Sequence, residues 1–169
     1  IGDSITSIGE YAFNRCSSLA EFKGKFASED GRCLIVNGVL YSFAPAGLTT
    51  YTIPDSVTSI GYTAFRDCSN LSSVTIGDSV TEIGDEAFDL CSNLSSVTIG
   101  DSVTSIGDTA FGRCSSLSNI TIPDSVTEVG GSAFSGCSSL SSITIPDSVS
   151  SVADCTFYDC SNLMSVTIG

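Results

Sequence analysis

The chain has 169 residues, 41% of them apolar, and a formal net charge of −13 from 19 acidic against 6 basic side chains. That apolar share is enough for a core, whereas a nucleic-acid backbone or an anionic membrane would be repelled, because the few basic residues form no stripe. The absence of histidine and tryptophan excludes histidine-based triads and His-Glu metal motifs, a glycine-rich phosphate loop with its lysine is missing, and no apolar run nears the roughly 20 residues of a membrane-spanning helix.

Residues 1–23 carry one copy of a pattern that resumes at Ile53 and recurs at Ile76, Ile99, Ile122, Ile145 and Ile168, always 23 residues apart. A fixed period of this length marks a solenoid. The expected organisation is one repeat domain over 1–169, with repeats starting at 1, 53, 76, 99, 122, 145 and 168. Opening and closing within repeats, the chain reads as part of something longer.

The one irregular stretch is the insertion 24–52, 29 residues long. Its centre, "CLIV-NG-VLYSF", predicts a β-hairpin, since Asn37-Gly38 suits a two-residue type I′ turn. It carries Phe26, Tyr41, Phe43 and Tyr51. These aromatics either cover the coil edge where the stack is interrupted or serve as recognition residues on a loop held by a rigid scaffold.

Within a regular repeat, Leu71, Val74 and Ile76 alternate with Ser73 and Thr75, the pattern of a half-buried strand. A turn at Gly77 or Pro54 followed by Asp leads into a second extended stretch with Val80 and Ile83 facing inward. Ala87, Phe88 and Cys91 then fall at three- to four-residue spacing, which predicts a short helical or 3₁₀ turn. One such coil cannot cover its own Phe and Leu, so copies must stack with strands about 4.7–4.9 Å apart. The columns become ladders: Phe13, Phe65, Phe88, Phe111, Phe134 and Phe157 beside Leu19, Leu71, Leu94, Leu117, Leu140 and Leu163.

The run "LSSVTIGDSVTEIGDEAFDLC", with its "AF" pair and following Cys, resembles the BspA-type leucine-rich repeat family of surface and secreted proteins. The resemblance covers nearly the whole chain. It implies a right-handed leucine-rich-repeat superhelix of short parallel strands, and an extracellular or cell-surface protein engaged in adhesion.

Three columns invite chemical readings. Cys16, Cys68, Cys91, Cys114, Cys137 and Cys160 stack in one row, which reads as buried free thiols, as inter-coil disulfides, or as zinc ligands, although a line does not gather four thiolates around a point. Cys33 and Cys155 lie off that row and are the expected reactive or bridging cysteines. Asp3, Asp55, Asp78, Asp101, Asp124 and Asp147 form an acidic row that either bonds its own turns or binds divalent cations. Thr75, Thr98, Thr121, Thr144 and Thr167 present hydroxyls on a strand face, a solvated surface or an ice-binding array. No catalytic set, cofactor or metal site is expected.

Information can reside only where the coils differ. Arg15, Tyr62, Arg66, Arg113 and Tyr158, with Tyr41, Phe43 and Tyr51 of the insertion, are the candidate ligand-binding residues, because Arg and Tyr dominate interface hot spots. The expected function is a non-enzymatic surface or secreted interaction and adhesion module, with a host matrix or cell-surface protein or glycan as partner. The alternatives are a structural spacer holding another domain away from the cell and, more remotely, an ice-binding solenoid.

Overall fold

Alternating side chains make short strands, and the repeat brings each strand beside its copy. The structure, a computed structural model describing residues 8–169, has twelve: β1 (Cys33–Val36), β2 (Val39–Phe43), β3 (Thr50–Thr52), β4 (Ser59–Ile60), β5 (Ser73–Ile76), β6 (Glu82–Ile83), β7 (Ser96–Ile99), β8 (Ser105–Ile106), β9 (Asn119–Ile120), β10 (Glu128–Val129), β11 (Ser142–Ile145) and β12 (Ser165–Ile168). They form a six-stranded sheet β1-β2-β4-β6-β8-β10, a four-stranded sheet β3-β5-β7-β9 and the pair β11-β12. Between regular coils every pairing is parallel and joins identical columns, as Val74 to Val97 and Ile83 to Ile106. Among the described residues, only the hairpin β1-β2 is an antiparallel strand pair.

The third side of each coil differs from expectation. No helix forms among the described residues; the segment is a series of turns in which two residues four apart take positive φ, such as Glu86 (52°) and Leu90 (64°), then Thr109 (55°) and Arg113 (56°). Left-handed backbone costs a non-glycine residue roughly 1–2 kcal/mol. It also turns alternate N–H groups out of the coil. Glu86, Phe88 and Leu90 donate to the carbonyls of Asp108, Ala110 and Gly112 in the next coil at 2.8, 2.7 and 2.9 Å, while Ala87, Asp89 and Cys91 donate three residues back within their own coil. A helix would keep all these donors to itself, so the strained form gains a third inter-coil ladder.

The core is a column of rings. Phe65, Phe88, Phe111 and Phe134 are fully buried and stack with centroid separations of 4.8, 5.2 and 5.6 Å, continued by half-buried Phe157 at 5.6 Å. Leu71, Leu94, Leu117 and Leu140 are buried beside them, while Leu163 and Leu19 are half-buried. Phe13 does not continue the ladder. Phe43 lies over Phe65 instead, at 4.7 Å, and Phe13 packs edge-on against Phe22 at 5.3 Å in a separate N-terminal cluster with Leu34 and Ala44.

That replacement shows what the insertion does. β2 runs parallel to β4 with Leu40 opposite Ile60, and β3 runs parallel to β5 with Tyr51 opposite Val74. Residues 39–52 are therefore a shortened coil of the stack, and only β1 with its flanks is added to it. The hairpin turn has the expected form, with Asn37 and Gly38 both at positive φ (52° and 82°).

Close stacking depends on glycine. A Cβ placed at Gly107 would lie 2.6 Å from the Asp85 nitrogen, and one at Gly130 would lie 2.5 Å from the Asp108 nitrogen. The next member of this column is Ala153. There the six-stranded sheet stops: residues 149–152 make no strand, and Val152 is 49% exposed. The other sheet stops one coil earlier. Pro123 and Pro146 succeed each other in the column of Gly77 and Gly100, and a Cβ at Gly100 would already be 2.7 Å from the Gly77 carbonyl carbon. Proline brings both bulk and a missing N–H, so β9 keeps two residues and β11 pairs only onward to β12.

Candidate functional site

The variable positions meet on the turn face. Asp89 is fully buried, and its carboxylate accepts hydrogen bonds from Arg66 Nε at 3.0 Å on one side, and from Arg113 Nε and Nη2 at 2.7–3.0 Å on the other. Gly112 makes room for this, since a Cβ there would stand 2.9 Å from Asp89 Oδ1. Arg66 also pairs with Glu86 at 3.4 Å, whose Oε1 accepts from the Tyr62 hydroxyl at 3.2 Å. Tyr62 meets Tyr11 edge-on at 5.2 Å with their hydroxyls bonded, and the Arg66 guanidinium lies 5.7 Å from the Tyr11 ring centre. Arg15 pairs with Asp67 at 3.4 Å.

Three of the candidate residues, Tyr62, Arg66 and Arg113, are thus drawn into one arrangement of charges, and Arg15 forms a separate pair with Asp67. Partial burial works against the Arg66 charge, but the bonds and charges of Asp89 and Glu86 outweigh it and raise its pKa. The hydrogen bond with Tyr11, then burial and Glu86, raises that of Tyr62. The Arg113 side chain is 56% exposed even so. Tyr158 stands apart, 67% exposed.

The insertion divides its aromatics differently. Phe43 is buried between Phe65 and Tyr51, 4.6 Å from the latter, so its ring serves the core. Tyr51 is half-buried; its hydroxyl donates to Asp30 Oδ2 at 3.0 Å and lies 3.2 Å from Cys33 Sγ. Tyr41 is half-buried and lines the narrow cleft between the first coil and the turn at residues 63–68.

The thiol row is a hydrogen-bonding device. Cys91, Cys114, Cys137 and Cys160 each direct Sγ at the carbonyl of the phenylalanine in the preceding coil, Phe65, Phe88, Phe111 and Phe134, at 3.1–3.2 Å. All eight cysteines are free. Burial pushes the thiols of Cys68 and Cys137 up to about 12 and those of Cys91 and Cys114 well above their usual range. Cys16 departs from its column by being exposed. The off-row pair is also split: Cys155 is exposed, but Cys33 is buried and pushed to about 12 by desolvation, so it is neither reactive nor a bridge.

Acidic side chains serve the backbone as well. Asp78 Oδ1 accepts the Asp101 N–H at 3.0 Å, and a second column does likewise, Asp85 from Asp108 at 2.7 Å and Asp108 from Gly131 at 2.6 Å. Asp3 lies outside the described residues. Among the described residues, no group of three carboxylates or thiols is placed to hold a metal ion. Thr98, Thr144 and Thr167 are exposed on their strands, and Thr121 is exposed just past β9. A different threonine row, not singled out from the sequence, donates from coil to coil: Thr81 to the Thr58 carbonyl, Thr104 to Thr81 and Thr127 to Thr104, at 3.1–3.3 Å. Asp89, Glu86 and Gly112 were also not predicted. Their signal was an acid standing 23 residues after one arginine and 24 before another, one coil away in each direction.

Comparison with known proteins agrees with this geometry. The family description "BspA type Leucine rich repeat region" matches in six copies over residues 1–28 and 40–168, resuming where the shortened coil does. No curated protein sequence matches. Among solved structures, a leucine rich cell surface protein from Faecalibacterium prausnitzii A2-165 superposes with a TM-score of 0.75 at 30% identity, over 85% of this chain and 37% of that one. The leucine rich repeat protein of T. pallidum gives 0.74 at 29%, over 86% and 70%, and a leucine-rich repeat protein from Bacteroides ovatus ATCC 8483 gives 0.70 at 34%, over 87% and 39%. The chain therefore spans well under half the length of two of these three. With six matched copies and coils that stack column on column, the chain belongs to the BspA-type leucine-rich repeat family.

Proposed function

We propose that the chain is a non-enzymatic interaction module of a surface or secreted protein, displaying a rigid face to a protein or glycan partner. The observation that carries this reading is the likeness, at 30% identity, to a structure described as a leucine rich cell surface protein. Physical support comes from the stack itself. Three inter-coil ladders fix the surface before any partner arrives, so little ordering cost falls on binding. The variable residues with surface still to offer, Arg113, Arg15, Tyr11 and Tyr158, lie on or beside the turn segments.

The test is a screen of the immobilised chain against matrix proteins and a glycan array. Binding that Arg113→Ala with Tyr158→Ala weakens at least tenfold is the expected result. No binding by a chain whose circular-dichroism melt shows it folded would replace this reading with the spacer.

A further inference from the structure

The regular coils present flush faces, but the added strand β1 and its flanks do not. Between residues 25–30, Ile35 and the turn at 54–56 lies an open groove of about 700 Å³. Sites that enclose drug-sized ligands run from about 300 to 1,000 Å³, so a few side chains fit and a folded domain does not. Its apolar surface comes from Phe26, Ile35 and Pro54, all partly exposed, and its rim from the exposed carboxylates Glu29, Asp30 and Asp55.

The rim is built to stay charged. Asp30 accepts hydrogen bonds from Ser28 Oγ at 2.6 Å, the Arg32 N–H at 3.0 Å and the Tyr51 hydroxyl at 3.0 Å. Burial alone would raise its carboxyl, but these bonds overcome that and hold it below the usual range. The Lys25 ammonium, the one base that lines the groove, lies 5.3 Å from the Phe26 ring centre, a contact that a stronger-binding partner cation would have to displace or share. A cation over an aromatic face is attracted by the ring's negative π face, the more so when desolvated.

We propose that this groove docks an extended segment of a partner protein that presents arginine or lysine beside an apolar side chain, the cation on the Phe26 ring and the carboxylate rim, the apolar group against Ile35 and Pro54. Charge complementarity carries this choice. Three carboxylates face one lysine, and the chain's net charge of −13 steers cationic segments inward and repels acidic ones. The proposal deepens the interaction-module reading, and a defined peptide lets each fail separately.

The probe is a fluorescently labelled octapeptide alternating arginine and leucine, followed by anisotropy with the whole chain at physiological salt. Binding is expected, with at least tenfold loss for the arginine-serine peptide, for Phe26→Ser, and for the exposed pair Glu29→Gln with Asp55→Asn. The remote pair Asp101→Asn with Asp124→Asn should stay within twofold of the parent. Equal binding of both basic peptides, equal losses from the near and remote pairs, or no binding by the folded chain would each overturn the groove. A matrix-protein or glycan ligand found in the screen would leave the module reading standing in any of those cases.

Discussion

The coils between Ile76 and Thr121 and the last coil, from Ile145 onward, are written in nearly the same residues, yet only the first group stacks on all three sides. In the middle, strands pair in both sheets, the turn segments exchange backbone bonds, and the phenylalanine and leucine columns are closed to solvent. In the last coil the turn ladder persists, with Phe134 donating to Thr156 at 2.9 Å, and β12 still pairs with β11, but the strand before Ala153 is lost and Val152 is exposed. Two substitutions separate them: alanine where each earlier coil has glycine, and a second consecutive proline. Close stacking in this fold is thus a property of columns that leave room for backbone. Apolar content alone does not secure it.

The largest expected effect tests that closure through the rings. Phe111→Ala removes a fully buried side chain stacked on both faces and should cost about 3–5 kcal/mol in urea unfolding. Phe157→Ala removes a half-buried ring with Phe134 on one face and should cost clearly less. Equal costs would mean that the last coil is as tightly packed as the middle.

Next comes the glycine column, with effects of opposite sign. Gly107→Ala puts a Cβ against the Asp85 and Gly84 backbone and should destabilise by about 1–3 kcal/mol, the range for overpacking a closed contact. Ala153→Gly should let residues 149–152 close on β10. Its readout is slower amide hydrogen exchange in that segment, with no loss of overall stability. Unchanged exchange would show that proline, and not the missing glycine, keeps the final coil open.

These glycines also mark how far the sequence could be read. The period, the parallel register, the buried columns and the hairpin turn were legible because each follows from residue type at fixed spacing. The turn segment was misread as helical because Ala87, Phe88 and Cys91 keep helical spacing; what defeats the helix is the left-handed backbone at Glu86 and Leu90, where no glycine signals it. The coil within the insertion was not recognised because it is short, with 20 residues from Leu40 to Ile60 in place of 23. Of the candidate site, the arginines and Tyr62 were found, but the acids that hold them were not singled out. Phe43 was left between covering the coil edge and recognition, because an aromatic on a hairpin and one capping a ring column look alike in sequence; the structure puts it over Phe65.

A smaller effect separates internal from available charge on the turn face. Asp89→Asn keeps the volume but leaves Arg66 and Arg113 facing a neutral group, and should cost about 1–3 kcal/mol, the scale of an uncompensated, partly desolvated charge. Arg113→Ala should cost less, because that side chain is 56% exposed and Arg66 still bonds Asp89 Oδ2. A double-mutant cycle between positions 89 and 113 should show coupling beyond additivity. Additive losses would free Arg113 from the network and make its whole surface available for recognition.

The smallest effect at neutral pH belongs to the thiol row. Cys114→Ala leaves the Phe88 carbonyl without its sulfhydryl donor and should cost on the order of 1 kcal/mol. Alkali should remove the row's contribution. An unfolded cysteine ionises near 9, whereas folded Cys68 and Cys137 hold their protons to about 12. Between those values the unfolded chain binds fewer protons than the native one. The stability due to each buried thiol is therefore complete below pH 9 and falls by about 1.4 kcal/mol per pH unit as pH climbs toward 12. Cys137→Ala should make the loss of stability between pH 9 and 11 shallower than in the parent by about that slope. Identical slopes would mean that the row titrates in the folded chain, as it could only if the coils part enough to admit water between them.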